Sequence, residues 1–418
     1  MRIYPRVFQK GERTKLFYES RTEAARVEIR VFGMERYSIP RTERMRIDEE
    51  VRHPLLPMER AGDRLFSIEL TLPEEQCYTF HIFEDGADAA YGRLYAADEE
   101  LLSLGFYKGD THLHSCRSDG VGTPFEVALS YRRAGFDFIC LTDHHRYAPS
   151  LEARDAVAPL TDLFTVFPGE EVHNKDMGYI HIVNLAGGAS VNEIIETRPD
   201  YVKERIEALR REVVLPEGID PETTLMRLFI AEEIRRAGGL AVLAHPFWNT
   251  GGEFSTETAE AVFHLKRGSF DALELLASDD PVGHGDNLQV ALYYSLRDEG
   301  VRTPVLGASD RHDPEKPTSL FNRHFSLVFA KSPEEIPNAV RAGMSVAVNR
   351  RSDTDFFVFG DYRLVKYARF LLFEYFPHYL PLAAAHADAM GAAAGKRDAA
   401  LSAAEAEIAA LRKQFFAF

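Results

Sequence analysis

The chain is poor in cysteine, in tryptophan and in positive charge. Its 418 residues hold 3 Cys and 1 Trp, and 49 Lys and Arg stand against 65 Asp and Glu, a formal net charge of -16. Cys77, Cys116 and Cys140 are too few and too dispersed for a disulfide framework, and none forms a C-x-x-C pair. The negative balance excludes broad electrostatic binding to nucleic acid, which needs a basic surface to release phosphate counterions, while leaving room for a small nucleotide. No apolar run reaches the roughly 20 residues of a membrane helix, since charges interrupt the aromatic stretch from Tyr362 to Tyr379. The start, Met1-Arg2-Ile3-Tyr4-Pro5-Arg6, lacks the apolar segment of a secretory signal, which makes cytoplasmic residence the expectation. With 45% hydrophobic and 27% charged residues, the composition is that of a globular protein, and the length exceeds one ordinary domain.

What the chain does have is histidine at strand ends. His112-Leu113-His114-Ser115, followed by Ser118-Asp119-Gly120, places two imidazoles two residues apart, a spacing that puts both on one side of a strand. Imidazole suits zinc, manganese and iron. Taken alone the pair is as compatible with packing as with a metal. Apolar runs of the kind found in buried parallel strands then lead one after another into further ligand types. Phe136 to Leu141 leads into Thr142-Asp143-His144-His145, and Leu163 to Phe167 into Pro168-Gly169-Glu170-Glu171. His181 lies within the run Tyr179 to Leu185. Leu240 to Ala244 precedes His245-Pro246, and Val305 to Ser309 precedes Asp310-Arg311-His312. Helical spacing is read over Thr123 to Ala134 and Leu225 to Ala237 between these runs. Strand-end polar groups separated by helices are the layout of a (β/α) barrel with its chemistry at the carboxyl ends of the strands.

In these motifs, taken in order, the sequence resembles the PHP (polymerase and histidinol phosphatase) superfamily over roughly residues 105 to 350. The resemblance implies an α/β fold, a distorted seven-stranded (β/α) barrel, holding two or three divalent metal ions (Zn, Mn or Fe). Carried over residue by residue, it implies one metal on His112, His114, Glu171 and Asp310. Glu171 would bridge to a second on His181 and His245, and a third would sit on Asp119, His144 and His312. Glu170 competes with Glu171, and His173 with His181. Three divalent cations against Asp119, Glu171 and Asp310 would leave a positive pocket in an acidic protein, which favours a small anionic substrate, expected to be phosphorylated. Paired metals stabilise both the entering and the leaving oxygen of a displacement at phosphorus and lower the pKa of water to about 7, so the nucleophile is expected as activated water near Glu171. Arg311 and His145 are candidate catalytic groups, and Arg146, Lys175, Asn249 and Arg323 candidate substrate contacts. Asp143 reads equally as support for a ligand histidine and as a turn residue. Cys116, two residues beyond His114, reads as a packed thiol. His53, His81, His264, His284, His324, His378 and His386 fall outside the motif set and read as surface or packing residues.

The expected activity is hydrolysis of a small phosphate monoester or phosphodiester. The alternative is carbamate, ester or amide hydrolysis at the same site, since Phe106-Tyr107-Lys108-Gly109-Asp110-Thr111 before His112 resembles a carbaryl-hydrolase-like branch with an added N-terminal region. A third reading, a non-catalytic metal-binding protein, would show as lost ligands, and all nine positions are filled.

Residues 1 to 104 read differently. Arg26 to Val31, Phe66 to Leu72 and Tyr78 to Phe83 alternate with period two, the last ending at a Glu84-Asp85-Gly86 turn. A small antiparallel β-sandwich is expected, structural rather than substrate-gating, joined to a barrel over residues 105 to 350. Within the barrel, residues 187 to 236 are longer than one crossover needs. Residues 351 to 418 are expected as a helical tail, broken at Pro377 and Pro381, with Leu401, Ala404, Ile408, Leu411 and Phe415 forming an apolar stripe. That stripe packs either on the chain's own body or on a second copy.

Overall fold

A computed structural model describes residues 2–35, 53–174, 180–250, 252–277, 284–316, 319–393 and 395–416. The chain divides into two compact units: Met1–Leu104 with Lys366–Leu382 and Ala403–Phe418, and Gly105–Val365 with Ala383–Ser402.

The first unit is built on two sheets. In one, Ile3–Tyr4, Arg13–Glu19, Leu65–Thr71 and Glu59–Arg60 pair in that order; in the other, the order is Val7–Gln9, Ala87–Ala97, Gln76–Glu84, Val27–Gly33 and Leu56–Pro57. Alternate residues of Gln76–Glu84 are buried, as period-two patterning requires. Leu16, Tyr18 and Phe66 of the first sheet share one apolar cluster with Ile29, Phe80 and Ile82 of the second. Asp85 and Gly86 turn the hairpin between Gln76–Glu84 and Ala87–Ala97 with φ of 50° and 84°, values for which glycine and aspartate carry the least steric cost. The end of the chain belongs to the same unit. The Arg6 backbone N–H donates to the Phe415 carbonyl at 2.7 Å, and the Tyr95 and Tyr367 rings lie 5.0 Å apart.

The second unit is mixed α/β. One sheet runs Thr165–Phe167, Phe138–Cys140, Gly105–Asp110, His324–Ala330, Ser345–Ser352 and Asp355–Gly360, parallel over the first three strands and antiparallel after. The other runs Gly169–Asn174, Ile180–Leu185, Leu240–Leu243, Ala272–Leu276 and Val305–Gly307. Phe138–Cys140, Leu240–Leu243, Ala272–Leu276 and Val305–Gly307 are buried throughout, which is why all but Ala272–Leu276, interrupted by Glu274, are unbroken apolar runs in the sequence. Single bridges from Leu113 to Arg311 and from His144 to Glu171 link the two sheets. The helices fall where the cap residues place them. Thr123 and Glu126 form a capping box at Pro124–Arg133, and Asp220 caps Pro221–Arg236.

The tail corrects one expectation. Helix Phe376–Ala392 runs through Pro381 rather than breaking there. Pro377 occupies the first turn, where no backbone donor is needed, and the exposed Pro381 removes a single helical bond while Tyr379, Ala383, Ala387 and Met390 are buried on the other side. In helix Ala399–Phe415, Leu401, Ile408 and Phe415 are buried. Among the described residues no helix is long and apolar enough to cross a membrane.

Candidate metal centre

All of the ligand-type side chains but Asp119, which sits on the loop before helix Pro124–Arg133, arrive at the site from a strand or the turn after it. His112 and His114 follow Gly105–Asp110, His144 follows Phe138–Cys140, His245 follows Leu240–Leu243, and Asp310 and His312 follow Val305–Gly307. Glu171 and His181 come from the antiparallel pair Gly169–Asn174 and Ile180–Leu185. Because neighbours on a strand face opposite ways, Glu170 and Glu171 separate cleanly. Glu170 turns to the start of helix Val191–Thr197, accepting from Ser190 Oγ at 2.7 Å, Asn192 Nδ2 at 2.9 Å and the Val191 backbone. Glu171 turns inward, 3.2 Å from His112 Nε2, 2.7 Å from His144 Nδ1 and 3.7 Å from His245 Nε2, with His181 Nδ1 in hydrogen-bond contact.

The donor atoms converge. Four overlapping sets bring their ligand atoms within 4.8 Å of one another: His114, Asp119, His144 and His312; His112, His114 and Asp310; His112, Glu171 and His245; and His144, Glu171 and His181. Asp310 Oδ1 lies 3.0 Å from His114 Nε2 and 3.4 Å from His112 Nε2. Asp119, exposed at the edge, reaches 3.5 Å from His312 Nε2 and 3.6 Å from His144 Nε2. The sets share members across the expected groupings, with His245 beside His112 and His181 beside His144.

These atoms fit a metal better than they fit one another. His112 Nε2, His144 Nδ1, His181 Nε2, both ring nitrogens of His245 and Glu171 Oε2 are buried without a well-formed hydrogen bond, even where a carboxylate oxygen is close. Buried polar atoms are rarely left so, and an N/O donor set aimed at a common point is what zinc, manganese or iron takes up. Burial alone would raise the Glu171 carboxyl, but His181, His112 and His144 hold it well below the ordinary range. Asp310 is lowered in the same way by His112, His114 and His312. His114 is pushed down to about 4, by burial and then by His312 and His144, which keeps its imidazole neutral and free to ligate.

The backbone is unusual here as well. Of the non-glycine residues described with positive φ, namely Asp85, His145, Ala186, His245, Asp310 and Asn322, three belong to the candidate site. Conformations of this kind persist only where the surroundings over-determine them, and they gather at functional sites.

Two buried carboxylates that the motifs did not single out hold the candidate ligands in place. Glu274, in the strand Ala272–Leu276, lies 3.0 Å from His112 Nδ1 and accepts the His245 backbone N–H at 3.1 Å. A carboxylate on the far nitrogen of a ligand imidazole fixes its tautomer and orientation. Asp110 accepts from the His112 and Ser309 backbones and from Tyr131 Oη at 2.9 Å, and burial pushes its carboxyl up to about 6. An acid two residues before His112 was its one signal in the sequence. Glu274, set in an apolar run far from every motif, gave none.

A cavity of about 1460 Å³ opens beside the cluster, lined among others by Arg117, Asp119, His144, His145, Arg146 and His173. His145, a candidate catalytic group, and Arg146, a candidate substrate contact, both line it. His173, the cross-strand partner of His181, meets His145 ring to ring, Nδ1 to Nε2 at 2.9 Å. Ser190, Glu193 and Glu196, at the start of the long insertion, also face the cavity.

Other candidates are placed elsewhere. The Arg311 guanidinium lies over the rings of Tyr131 and Phe321, 5.8 and 5.4 Å from their centroids, and makes no ion pair with the described carboxylates. Its Nε and Nη1 are buried without a hydrogen bond. Asn249 is exposed and accepts the Gly252 backbone N–H, and Arg323 is exposed and outside the cavity lining. Lys175 lies outside the described residues. Asp143 proves to be a turn residue, accepting from the backbones and hydroxyls of Ser115 and Ser118 and so shaping the loop that carries Asp119. Cys116 is exposed, not packed.

The ligand-type residues marked out in the sequence are thus gathered in space, and the likenesses to known proteins are partial. A stretch of 91 residues is 34% identical to the DNA polymerase/3'-5' exonuclease PolX of Bacillus subtilis (strain 168), covering 22% of this chain and spanning 14% of that protein's length. No protein-family model matches the chain. Among solved structures, a two-domain protein from Bacteroides vulgatus containing a predicted PHP-like metal-dependent phosphoesterase is 19% identical, with a TM-score of 0.40 over 59% of this chain and 65% of that one. An amidohydrolase from Chromobacterium violaceum is also 19% identical, with a TM-score of 0.33 over 50% of this chain and 93% of that one. At such scores the geometry of the site, and not these likenesses, carries the reading of its chemistry.

Proposed function

We propose that the chain is a metal-dependent hydrolase that cleaves a phosphate monoester or a small phosphodiester at a di- or trinuclear centre held on a distorted (β/α) barrel. The observation that carries the proposal is the convergence of nine N and O ligand groups in four overlapping sets, with His112, His114, Glu171 and His245 buried and several donor atoms without a hydrogen-bond partner.

His112, His114, Glu171 and Asp310 would hold one ion, Glu171, His181 and His245 a second, and Asp119, His144 and His312 a third. Such ions, when bound, activate water and neutralise charge building on the leaving oxygen. The protein's own part is to orient these ligands through Glu274 and Asp110, and to offer cationic and imidazole groups around the reacting centre. Arg117, Arg146, His145 and His173 line the adjoining cavity and suit an anionic group; Arg presents a planar fork of donors to phosphate oxygens. Glu152, Glu193 and Glu196 line the same cavity and Glu152 pairs with Arg117 at 2.7 Å, so the positive charge that favours a phosphoester over a neutral substrate would come from the bound ions, with Arg146 beside them.

The test is elemental analysis of the purified protein together with hydrolysis assays on phosphate monoesters, phosphodiesters and a carbamate ester. Two or three equivalents of metal with phosphoester turnover are expected. Turnover of the carbamate alone would move the assignment to carbonyl chemistry, and a protein without metal would defeat both. His112→Ala and Asp310→Ala should each abolish turnover with the fold retained.

A further inference from the structure

The turn that carries His245 is fastened from behind by a buried ion pair far from any ligand motif. Arg227, on helix Pro221–Arg236, and Glu260, on helix Thr258–Arg267, are both buried and meet at 2.7 Å through Nη1 and Oε1. The other arm of Arg227, Nη2, donates to the Ser255 carbonyl at 2.8 Å. Ser255 in turn holds the His245 turn. Its Oγ donates to the carbonyls of His245 at 3.2 Å and Pro246 at 3.1 Å, and its backbone N–H donates to the Trp248 carbonyl at 2.9 Å. Two more bonds tighten the same turn, Trp248 N–H to the His245 carbonyl and Thr256 N–H to the Pro246 carbonyl, each 2.9 Å.

His245 needs this support. Its φ of 20° lies outside the regions open to an ordinary L-residue, and such a conformation persists only where the surroundings over-determine it. Its N–H is fixed by Glu274, and its carbonyl is fixed by Ser255 and Trp248. With the backbone clamped at both ends, the imidazole is aimed at Glu171 and Asp310, 3.7 and 3.8 Å away. An Arg–Glu pair that served only to join two helices would have no reason to spend its second arm on the carbonyl of a turn residue.

We infer that Arg227, acting through Ser255, is a positioning residue for His245 and so sets the affinity of the ion that His245 helps to hold. The inference rests on the metal-centre reading given above.

Trp248 supplies the readout. It is the one tryptophan of the chain, and its ring lies 5.5 Å from that of His181 and 5.8 Å from that of His245. Cobalt(II) chloride titrated into chelator-treated protein should quench its fluorescence. Ser255→Ala deletes the two hydroxyl bonds and keeps the carbonyl that Arg227 grips. It should weaken cobalt binding about tenfold, the lower end of what loss of a ligand-orienting partner costs, with the urea midpoint close to wild type. Arg227→Met should weaken binding at least as much, and Arg227→Lys should recover part of it. Ser345→Ala, which removes a buried hydroxyl bond to the Val305 carbonyl at another place in the unit, is the control and should titrate as wild type. Wild-type cobalt affinity in Ser255→Ala and Arg227→Met overturns the inference while leaving the proposed function standing, whereas wild-type protein that binds no cobalt overturns both.

Discussion

His112 and Glu274, 162 positions apart in the chain and both fully buried, meet at 3.0 Å between Nδ1 and Oε1. One carboxylate thereby orients a ligand imidazole and, through its other oxygen, the His245 backbone. Glu274→Gln keeps the shape and removes the charge. It is expected to lower metal affinity about 10- to 100-fold, read as metal retained after dialysis against a weak chelator. Retention equal to wild type would reduce Glu274 to a packing residue.

Glu170 and Glu171 make a paired experiment. Both are fully buried, but Glu170 is satisfied by Ser190, Val191 and Asn192, while Glu171 faces only ligand groups. Glu171→Gln should strip metal from the protein and abolish turnover. Glu170→Gln should keep the metal and cost about 1–3 kcal/mol, because an amide leaves at least one buried donor facing donors. Reversed results in metal analysis and urea unfolding would exchange the two assignments.

His144, Glu171, His181, His245, Asp310 and His312 stood out as candidate ligands because they lie in or beside apolar runs, the strongest pattern a buried sheet leaves, whereas His112 and His114 stood out by their own spacing and Asp119 by the resemblance. Glu170 against Glu171 was not legible, since the choice depends on where the strand begins. Gly169 opens it, and the period-two rule then assigns the faces. Glu274 was hidden for a different reason: its partner lies on another strand, and nothing local marks a carboxylate in an apolar run as paired rather than misplaced. The surroundings of Arg311 were not legible either, because adjacency to two candidate ligands in sequence says nothing about direction, and its ring neighbours Tyr131 and Phe321 come from other segments. Pro381 misled because a proline near a helix start costs little when the opposite face is well packed.

Arg311 should act on stability more than on chemistry. A guanidinium over two aromatic rings gains from stacking that an ammonium reproduces poorly. Arg311→Lys is expected to lose about 0.5–2 kcal/mol of stability and to change kcat by no more than a few-fold. A hundredfold loss of kcat at unchanged melting temperature would return Arg311 to the active centre.

His324 gives a pH prediction away from the metal centre. It is buried, and although Asp286 approaches within 3.6 Å, burial, reinforced by the charge of Arg323, pushes the imidazole down to about 3. The folded protein therefore keeps His324 neutral over a range in which the unfolded chain, with an ordinary histidine near 6.5, takes up a proton. The unfolded state binds more protons between these values, so stability falls as pH is lowered from about 6.5 toward 3, by at most about 1.4 kcal/mol per pH unit from this residue. Above 6.5 both states are neutral and the contribution is flat. His324→Gln should remove that slope. Urea unfolding of wild type and variant at pH 7 and pH 5 measures it, and the variant is expected to lose less stability between the two pH values than wild type does; equal losses would mean that His324 is protonated in the fold, with Asp286 as its partner.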